Sequence, residues 1–128
     1  MRIYYAHFIG IYNTKQEERD LQTLKILFPE AEIVNPSNDQ IQNDYRQFLA
    51  SDRNSPSTSA IDYFCDLVKT CDVLAFRGCV NGKIGAGIWK EIETAKAESM
   101  PIIELPSYLD REMTVAETRQ LLREFGTR

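Results

Sequence analysis

The chain has 128 residues, of which 43% are hydrophobic, and these values predict one domain, residues 1–128, with a substantial core. The formal net charge is −4 and the basic residues are scattered, which argues against a nucleic-acid polymer as partner but not against a mononucleotide. The longest apolar run is far shorter than a membrane span, so we expect no membrane partner and, by default, a cytoplasmic protein.

The first two predicted strands flank a helix. Residues 2–6 are apolar and aromatic and predict the first strand, and residues 31–34 predict the second. Between them, Thr14 and Glu17 form a capping-box pattern that predicts the start of a helix. We expect this helix to end near Pro29 and to bury one apolar face, formed by Leu21, Leu24, Leu27 and Phe28.

Residues 37–58 are more polar than the rest of the chain. The spacing of Ile41, Tyr45 and Phe48 permits a short helix there. Residues 51–59 are rich in serine and read as an exposed loop. Either a mobile flap over a site or a plain surface insertion explains this segment.

A second helix is predicted from residue 59 to about residue 70, and a third strand follows at residues 72–76. Cys65 and Cys71 are interpreted as small core residues rather than nucleophiles. With Cys79 they make three cysteines, which have no zinc-type pairing, and the chain has one histidine. We therefore expect no metal, and we expect no cofactor.

A glycine-rich loop follows the third strand and leads into a helix. Gly82, Gly85 and Gly87 permit close approach of a ligand to the backbone. In the helix, one apolar face is formed by Ile88, Ile92, Ala95 and Ser99. Glu91 lies roughly 70° from the centre of that face, whereas Glu93 points to solvent. Glu91 is thus either a partly desolvated functional carboxylate, kept ionised by the helix dipole, or an ordinary border residue.

Residues 101–105 predict a fourth strand, and residues 114–125 predict a last helix whose packing residues are Val115, Leu121, Leu122 and Phe125. Strands that alternate with helices predict an α/β fold of three layers, with a parallel sheet covered by helices on both faces. We expect four strands in the order 2-1-3-4, the flavodoxin-like winding. Because the order reverses between strands 1 and 3, a ligand should bind at their carboxyl ends.

The motif Gly87-x-x-x-Glu91-Ile92-x-x-Ala95, followed by Pro101-Ile102-Ile103, resembles the signature of the nucleoside 2-deoxyribosyltransferase-like superfamily. The segment Arg2 to His7 also resembles the first strand and loop of that family. The resemblance implies that Glu91 attacks the anomeric carbon of a (deoxy)ribosyl group and expels the base, and that another base or water resolves the glycosyl-enzyme.

Most of the other site residues are predicted because they lie on or follow the first and third strands, and Asp62 is added because the resemblance implies an acid near the start of the preceding helix. Tyr5 and His7 are the candidates to assist Glu91 in catalysis, although alternation along the strand allows only one of Tyr4 and Tyr5 to face the site. Lys83 and Arg77 are candidates to meet a phosphate, which would indicate a nucleotide. The predicted substrate-binding residues are Tyr4, Phe8, Gly10, Asp62, Arg77, Lys83, Gly85, Ala86 and Gly87.

The chain departs from the family pattern at two acidic positions. Classical members carry an aspartate six residues before the nucleophile, where this chain has Gly85. The acid of the preceding helix has no exact match, since Phe64 falls nearest by spacing and Asp62 and Asp66 flank it. A C-terminal Asn-x-Met contribution to a neighbouring subunit is also not found. These departures put transferase activity and substrate identity in question.

Two functions therefore remain open. The first is an N-glycosidic bond enzyme, a hydrolase or deoxyribosyltransferase, that acts on a (deoxy)nucleoside or a nucleoside 5′-monophosphate. The second is a non-catalytic nucleotide-binding or sensing module on the same fold. The resemblance also implies a homo-oligomer, a dimer or a multiple of it. Trp89, roughly 90° from the buried face of its helix, either anchors that interface or packs under residues 37–58.

Overall fold

The computed structural model describes residues 1–51, 60–79, 82–106 and 113–126. The strands are β1 (Arg2–Ala6), β2 (Glu32–Val34), β3 (Val73–Phe76) and β4 (Ile102–Glu104). The helices are α1 (Lys15–Leu27), α2 (Asp39–Ser51), α3 (Ala60–Val68), α4 (Ala86–Ala97) and α5 (Val115–Glu124). Each predicted strand agrees with an observed one to within one residue at either end.

The strands form one parallel sheet in the order β2-β1-β3-β4, as predicted. Tyr4 of β1 is aligned with Val34 of β2 on one side and with Leu74 of β3 on the other. Because β1 pairs with both β2 and β3, the winding reverses beside β1, and the carboxyl ends of β1 and β3 lie next to each other.

The sheet buries both of its faces, since successive side chains of β1 alternate between them. Ile3 and Tyr5 pack with Leu24 of α1 on one face. Tyr4 and Ala6 lie on the opposite face, in the core formed with α3 and α4. Two neighbouring tyrosines are thus fully buried in different cores, and this separation decides which of them meets Glu91.

Helix α1 begins as predicted but buries a different set of residues. The Thr14 side chain caps it by accepting a hydrogen bond from the Glu17 amide at 3.4 Å. Leu27 is 55% exposed, so its predicted packing is wrong. The buried face is instead shifted toward the carboxylates of Glu17 and Asp20, which find partners in the interior.

In α4 the predicted buried face is confirmed for Ile88, Ile92 and Ala95, and Glu93 is exposed as expected. Ser99 does not belong to that face, because the helix ends at Ala97 and Ser99 has a φ of 55°. The left-handed turn brings Met100 into the core in its place, with the Met100 amide bonded to the Ala95 carbonyl at 2.9 Å.

Several other predictions have mixed outcomes. Cys71 lies in the core and Cys65 is half-buried. Helix α2 is longer than predicted and takes in Ser51, while the rest of the predicted 51–59 loop lies outside the described residues.

Trp89 is 44% exposed and Lys96 Nζ lies 5.1 Å from its ring centroid, so its role at an interface stays a prediction. No helix in the described part of the chain is long and apolar enough to cross a bilayer.

The packing predicted for α5 is wrong. All four residues expected to pack are exposed, namely Val115, Leu121, Leu122 and Phe125. No residue of this helix is buried. A helical pattern shows which residues share a face, but not that the same chain covers that face.

Candidate functional site

The carboxyl ends of β1 and β3 bring the predicted loops together. His7 follows β1, and a single 3-10 turn (Ile9–Ile11) leads from there toward α1. Arg77 follows β3, and its amide donates to the Ala6 carbonyl at 2.9 Å, which fastens the two strand ends. Helix α4 begins after the loop that follows Arg77, so its first two turns lie at this edge of the sheet.

Glu91, in the second turn of α4, meets Tyr4 across this edge. Glu91 Oε2 and the Tyr4 hydroxyl are both shielded from solvent, and within the described chain neither completes a hydrogen bond of good geometry. They are nevertheless close enough to influence each other's ionisation. Burial raises the pKa of Glu91 to about 8, an effect that the Tyr4 hydroxyl partly opposes. Burial and then Glu91 hold the pKa of Tyr4 well above its usual value.

Two further groups lie within electrostatic range of Glu91. Burial, followed by Glu91 and Glu17, raises the pKa of Tyr12 to about 12. Burial also raises the pKa of the Cys65 thiol, with Thr94 opposing and Glu91 reinforcing the shift. The pKa of Glu91 itself is raised by burial and lowered by Tyr4, and no cationic side chain contributes to it. Glu91 is therefore a desolvated carboxyl among tyrosines and a thiol, without a positive partner among the described residues.

His7 is held at both ring nitrogens. Nδ1 donates to the Tyr5 carbonyl at 3.0 Å, and Nε2 lies 2.8 Å from Glu17 Oε2. Burial raises the pKa of Glu17, but hydrogen bonds from Ser37, His7 and the Asn13 amide outweigh that and lower it overall. Burial lowers the pKa of His7, and its bonds to Glu17 and the Tyr5 carbonyl oppose this shift.

The His7 ring also lies between two aromatic rings. It stacks on Tyr5 with centroids 3.8 Å apart and is tilted against Tyr12 at 4.8 Å. Since both of its nitrogens are engaged, the ring acts as a fixed support beneath Tyr12 rather than as a group open to a ligand.

Arg77 is also engaged inside the protein. Its guanidinium binds Asp20 through two nitrogens, Nε to Oδ2 at 2.9 Å and Nη2 to Oδ1 at 2.5 Å. Nη2 also donates to the Pro106 carbonyl. The Tyr5 hydroxyl donates to Asp20 Oδ2 at 2.5 Å. This buried network joins α1, β1 and β3 on the face of the sheet opposite to Glu91.

The structure brings together some of the predicted site residues and separates others. Tyr4, rather than Tyr5, meets Glu91, because Tyr5 points to the other face and binds Asp20. Arg77 is buried against Asp20 instead of pointing to solvent. The other predicted substrate-binding residues are exposed or half-buried, namely Phe8, Gly10, Asp62, Lys83, Gly85, Ala86 and Gly87.

Glycines at the start of α4 leave room beside Glu91. A Cβ built on Gly85 or Gly87 would meet no other atom within 4 Å, and neither residue has a positive φ. The chain's own packing and backbone therefore do not require glycine at these positions. Gly10 is different, because a Cβ there would collide with the Phe8 ring, whose nearest atom is at 2.3 Å.

Sequence reasoning missed three residues that interact with predicted site residues. The capping-box pattern marked Glu17 as a helix-start residue, but its carboxylate binds His7 and the Asn13 amide instead of the backbone of the cap residue, Thr14. Asp20 carried no signal, since a carboxylate on a helix is normally expected at the surface. Tyr12 lies in a loop, where periodicity gives no information.

No family model, no curated protein and no solved structure matches this chain. Among the residues that the structure describes, no group of three or more histidine, cysteine, aspartate or glutamate side chains is placed to hold a metal ion.

Proposed function

We propose that the protein is an N-glycosidic bond enzyme that acts on a (deoxy)nucleoside or nucleoside 5′-monophosphate, with Glu91 as the nucleophile. One observation carries this proposal. Glu91 Oε2 and the Tyr4 hydroxyl lie buried close to each other, and neither completes a hydrogen bond of good geometry within the described chain, at the edge where a parallel sheet of this order binds ligands. An unpartnered buried polar atom costs free energy of about 1–3 kcal/mol, which a bound substrate would recover.

The proposed reaction follows from the chemistry of a carboxylate beside an anomeric carbon. A carboxylate oxygen of Glu91 bonds to C1′ as the C1′–N bond breaks, so that a glycosyl ester forms on Glu91 and the base leaves with the electron pair and takes a proton from solvent. Water then releases the sugar in a hydrolase, whereas a second base takes it in a transferase. The negative charge of Glu91 also stabilises the oxocarbenium-like transition state.

Tyr4 has a defined role in this proposal. A nucleophile must be ionised, whereas burial favours the neutral form of Glu91 and raises its pKa to about 8. The Tyr4 hydroxyl opposes that shift, since a phenol donates a hydrogen bond to a carboxylate but is itself a very weak acid. Tyr4 would therefore orient Glu91 and stabilise its charge, and it would not protonate the leaving base.

The test is release of free base from a panel of deoxynucleosides, ribonucleosides and their monophosphates, followed by liquid chromatography. Wild type should release base from at least one of them. Glu91→Gln should lose on the order of a thousandfold in rate. Tyr4→Phe should lose about tenfold or more, because it removes the hydroxyl that opposes the raised pKa of Glu91 and stabilises the ionised carboxylate.

Glu93→Gln is the matched control, since Glu93 is an exposed carboxylate on the same helix. Its rate should stay close to that of wild type. Full activity in Glu91→Gln, with folding confirmed by circular dichroism, would overturn the proposal.

One observation favours the second candidate, a non-catalytic nucleotide-binding module. A carboxyl with a pKa of about 8 is mostly protonated at pH 7, and in that form it donates a hydrogen bond to a ligand. Calorimetry with the same panel separates the two functions. Binding that requires Glu91, with no base released from any compound, would favour the module.

A further inference from the structure

We propose that the Glu91 site selects nucleosides whose base is already a cation, such as a pyridinium or an N7-alkylated purinium. This inference rests on the proposed N-glycosidic function and adds to it the class of leaving group. Three features of the site point to a cationic base: an uncompensated carboxyl, aromatic neighbours, and the lack of a good proton donor among the described residues.

The first feature is the charge balance around Glu91. At this edge of the sheet the Arg77 guanidinium is bound to Asp20, and the His7 ring, whose pKa burial lowers, lies against Glu17. Glu91 Oε2 is buried, it completes no hydrogen bond of good geometry in the described chain, and no cationic side chain contributes to the pKa of Glu91. A buried carboxylate without a counter-charge is unfavourable, and a cation beside it restores the balance. A substrate that carries its own positive charge supplies that cation.

The second feature is the surroundings of Glu91. The Tyr4 side chain lies beside it in the core, and Tyr12, supported by the His7 ring, lies within range of its charge. Aromatic rings attract cations through their negative faces, and planar cations also stack on them. Gly85 and Gly87 leave open space at the start of the same helix, which gives a flat ring room to approach.

The third feature concerns the proton that a neutral base needs when it leaves. The groups that sense the charge of Glu91 are Tyr4, Tyr12 and Cys65, and burial raises the pKa of each of them. A raised pKa makes each a weaker acid. His7 is committed at both nitrogens. A base that already carries a positive charge leaves without being protonated.

The bond changes balance without a further reactant except water. A carboxylate oxygen of Glu91 forms a bond to C1′ as the C1′–N bond breaks. The electron pair of that bond moves to the ring nitrogen, which neutralises the cation, and the base departs as a neutral molecule. Water then attacks C1′, the ester bond to Glu91 breaks, its electron pair returns to the carboxylate, and the proton of the water passes to solvent.

The test compares matched substrates with and without the charge. The pairs are 7-methylguanosine with guanosine and their 2′-deoxy counterparts, with nicotinamide riboside as a pyridinium case, all at neutral pH. The rate in Glu91→Gln is subtracted, because the cationic compounds also hydrolyse on their own. We expect the cationic member of a pair to be cleaved on the order of tenfold or more faster.

Binding gives a second readout that does not need turnover. The 1-methylnicotinamide cation should bind wild type more tightly than neutral nicotinamide, and Glu91→Gln should lose that preference. Equal or faster cleavage of the neutral nucleosides would overturn the inference and leave the proposed function standing. Equal binding of the two nicotinamides would also overturn it. If no compound releases base, the proposed function fails, and this inference fails with it.

Discussion

Burial favours the neutral form of the Glu91 carboxyl, so the free energy of unfolding of the wild type should fall as pH rises. Glu91→Gln should remove this pH dependence and be more stable than wild type at neutral and alkaline pH. The pKa of Glu91 is raised from 4.5 to about 8 by burial, with Tyr4 opposing. The folded protein thus holds a proton that the unfolded chain gives up between these two values. Stability from this group is fully present below pH 4.5, falls as pH rises, and is lost once pH exceeds about 8.

The size of the effect follows from the shift. Each pKa unit corresponds to about 1.4 kcal/mol, so Glu91→Gln should gain stability over wild type by about 3 kcal/mol at pH 7 and about 5 kcal/mol at pH 9. At pH 4 the gain should vanish, because the carboxyl is protonated in both states. Cys65, Tyr4 and Tyr12 face Glu91, and burial, which is the largest cause of the raised pKa of each, acts alike in both proteins.

Urea denaturation of both proteins at a series of pH values measures the difference directly. Glu93→Gln, an exposed carboxylate on the same helix, should follow the wild-type curve at every pH. Parallel curves for wild type and Glu91→Gln from pH 4 to pH 9 would refute the reasoning, since Glu91 would then titrate alike in the folded and unfolded states.

Three further predictions concern other parts of the molecule. Asp20→Asn and Arg77→Met should each lower the free energy of unfolding by about 3–5 kcal/mol, because each leaves a buried charge unpaired. The double variant should lose less than the sum of the two losses, and urea denaturation measures all three variants. Gly87→Ala should leave stability unchanged or raise it by up to about 1 kcal/mol, since a Cβ there meets none of the chain's own atoms within 4 Å. The same variant should slow base release, because the added methyl group would take up room that a substrate uses beside Glu91. Thermal unfolding and the base-release assay separate the two effects. Thr14→Ala should cost about 1 kcal/mol through loss of the helix cap, measured by urea denaturation, and an unchanged midpoint would contradict it.

The sheet and the position of Glu91 were predictable because they depend on local patterns. The apolar runs marked the strands, and the alternation of strands and helices gave their order. The period of α4 placed Glu91 at the border of the buried face and Glu93 outside it, as the structure confirms. Alternation along β1 also predicted that Tyr4 and Tyr5 point to opposite faces.

The buried charges were not predictable, because each depends on a partner that is distant in sequence. Asp20 is buried since Arg77, 57 residues later, binds it, and Glu17 is buried beside His7, which lies 10 residues earlier. No local pattern marks such pairs. The same limit applies to α5, whose apolar face was evident while its exposure was not.

The pH dependence of kcat/KM for base release tests the role of Glu91 most directly, because it reports the ionisation of the free enzyme. With Glu91 as nucleophile, the value should rise with pH and reach half of its maximum near the Glu91 pKa of about 8. Tyr4→Phe should move that midpoint upward, since the hydroxyl lowers the Glu91 pKa. A rate that falls as pH rises through the same range would contradict the account, because the protonated form of Glu91 would then be the active one.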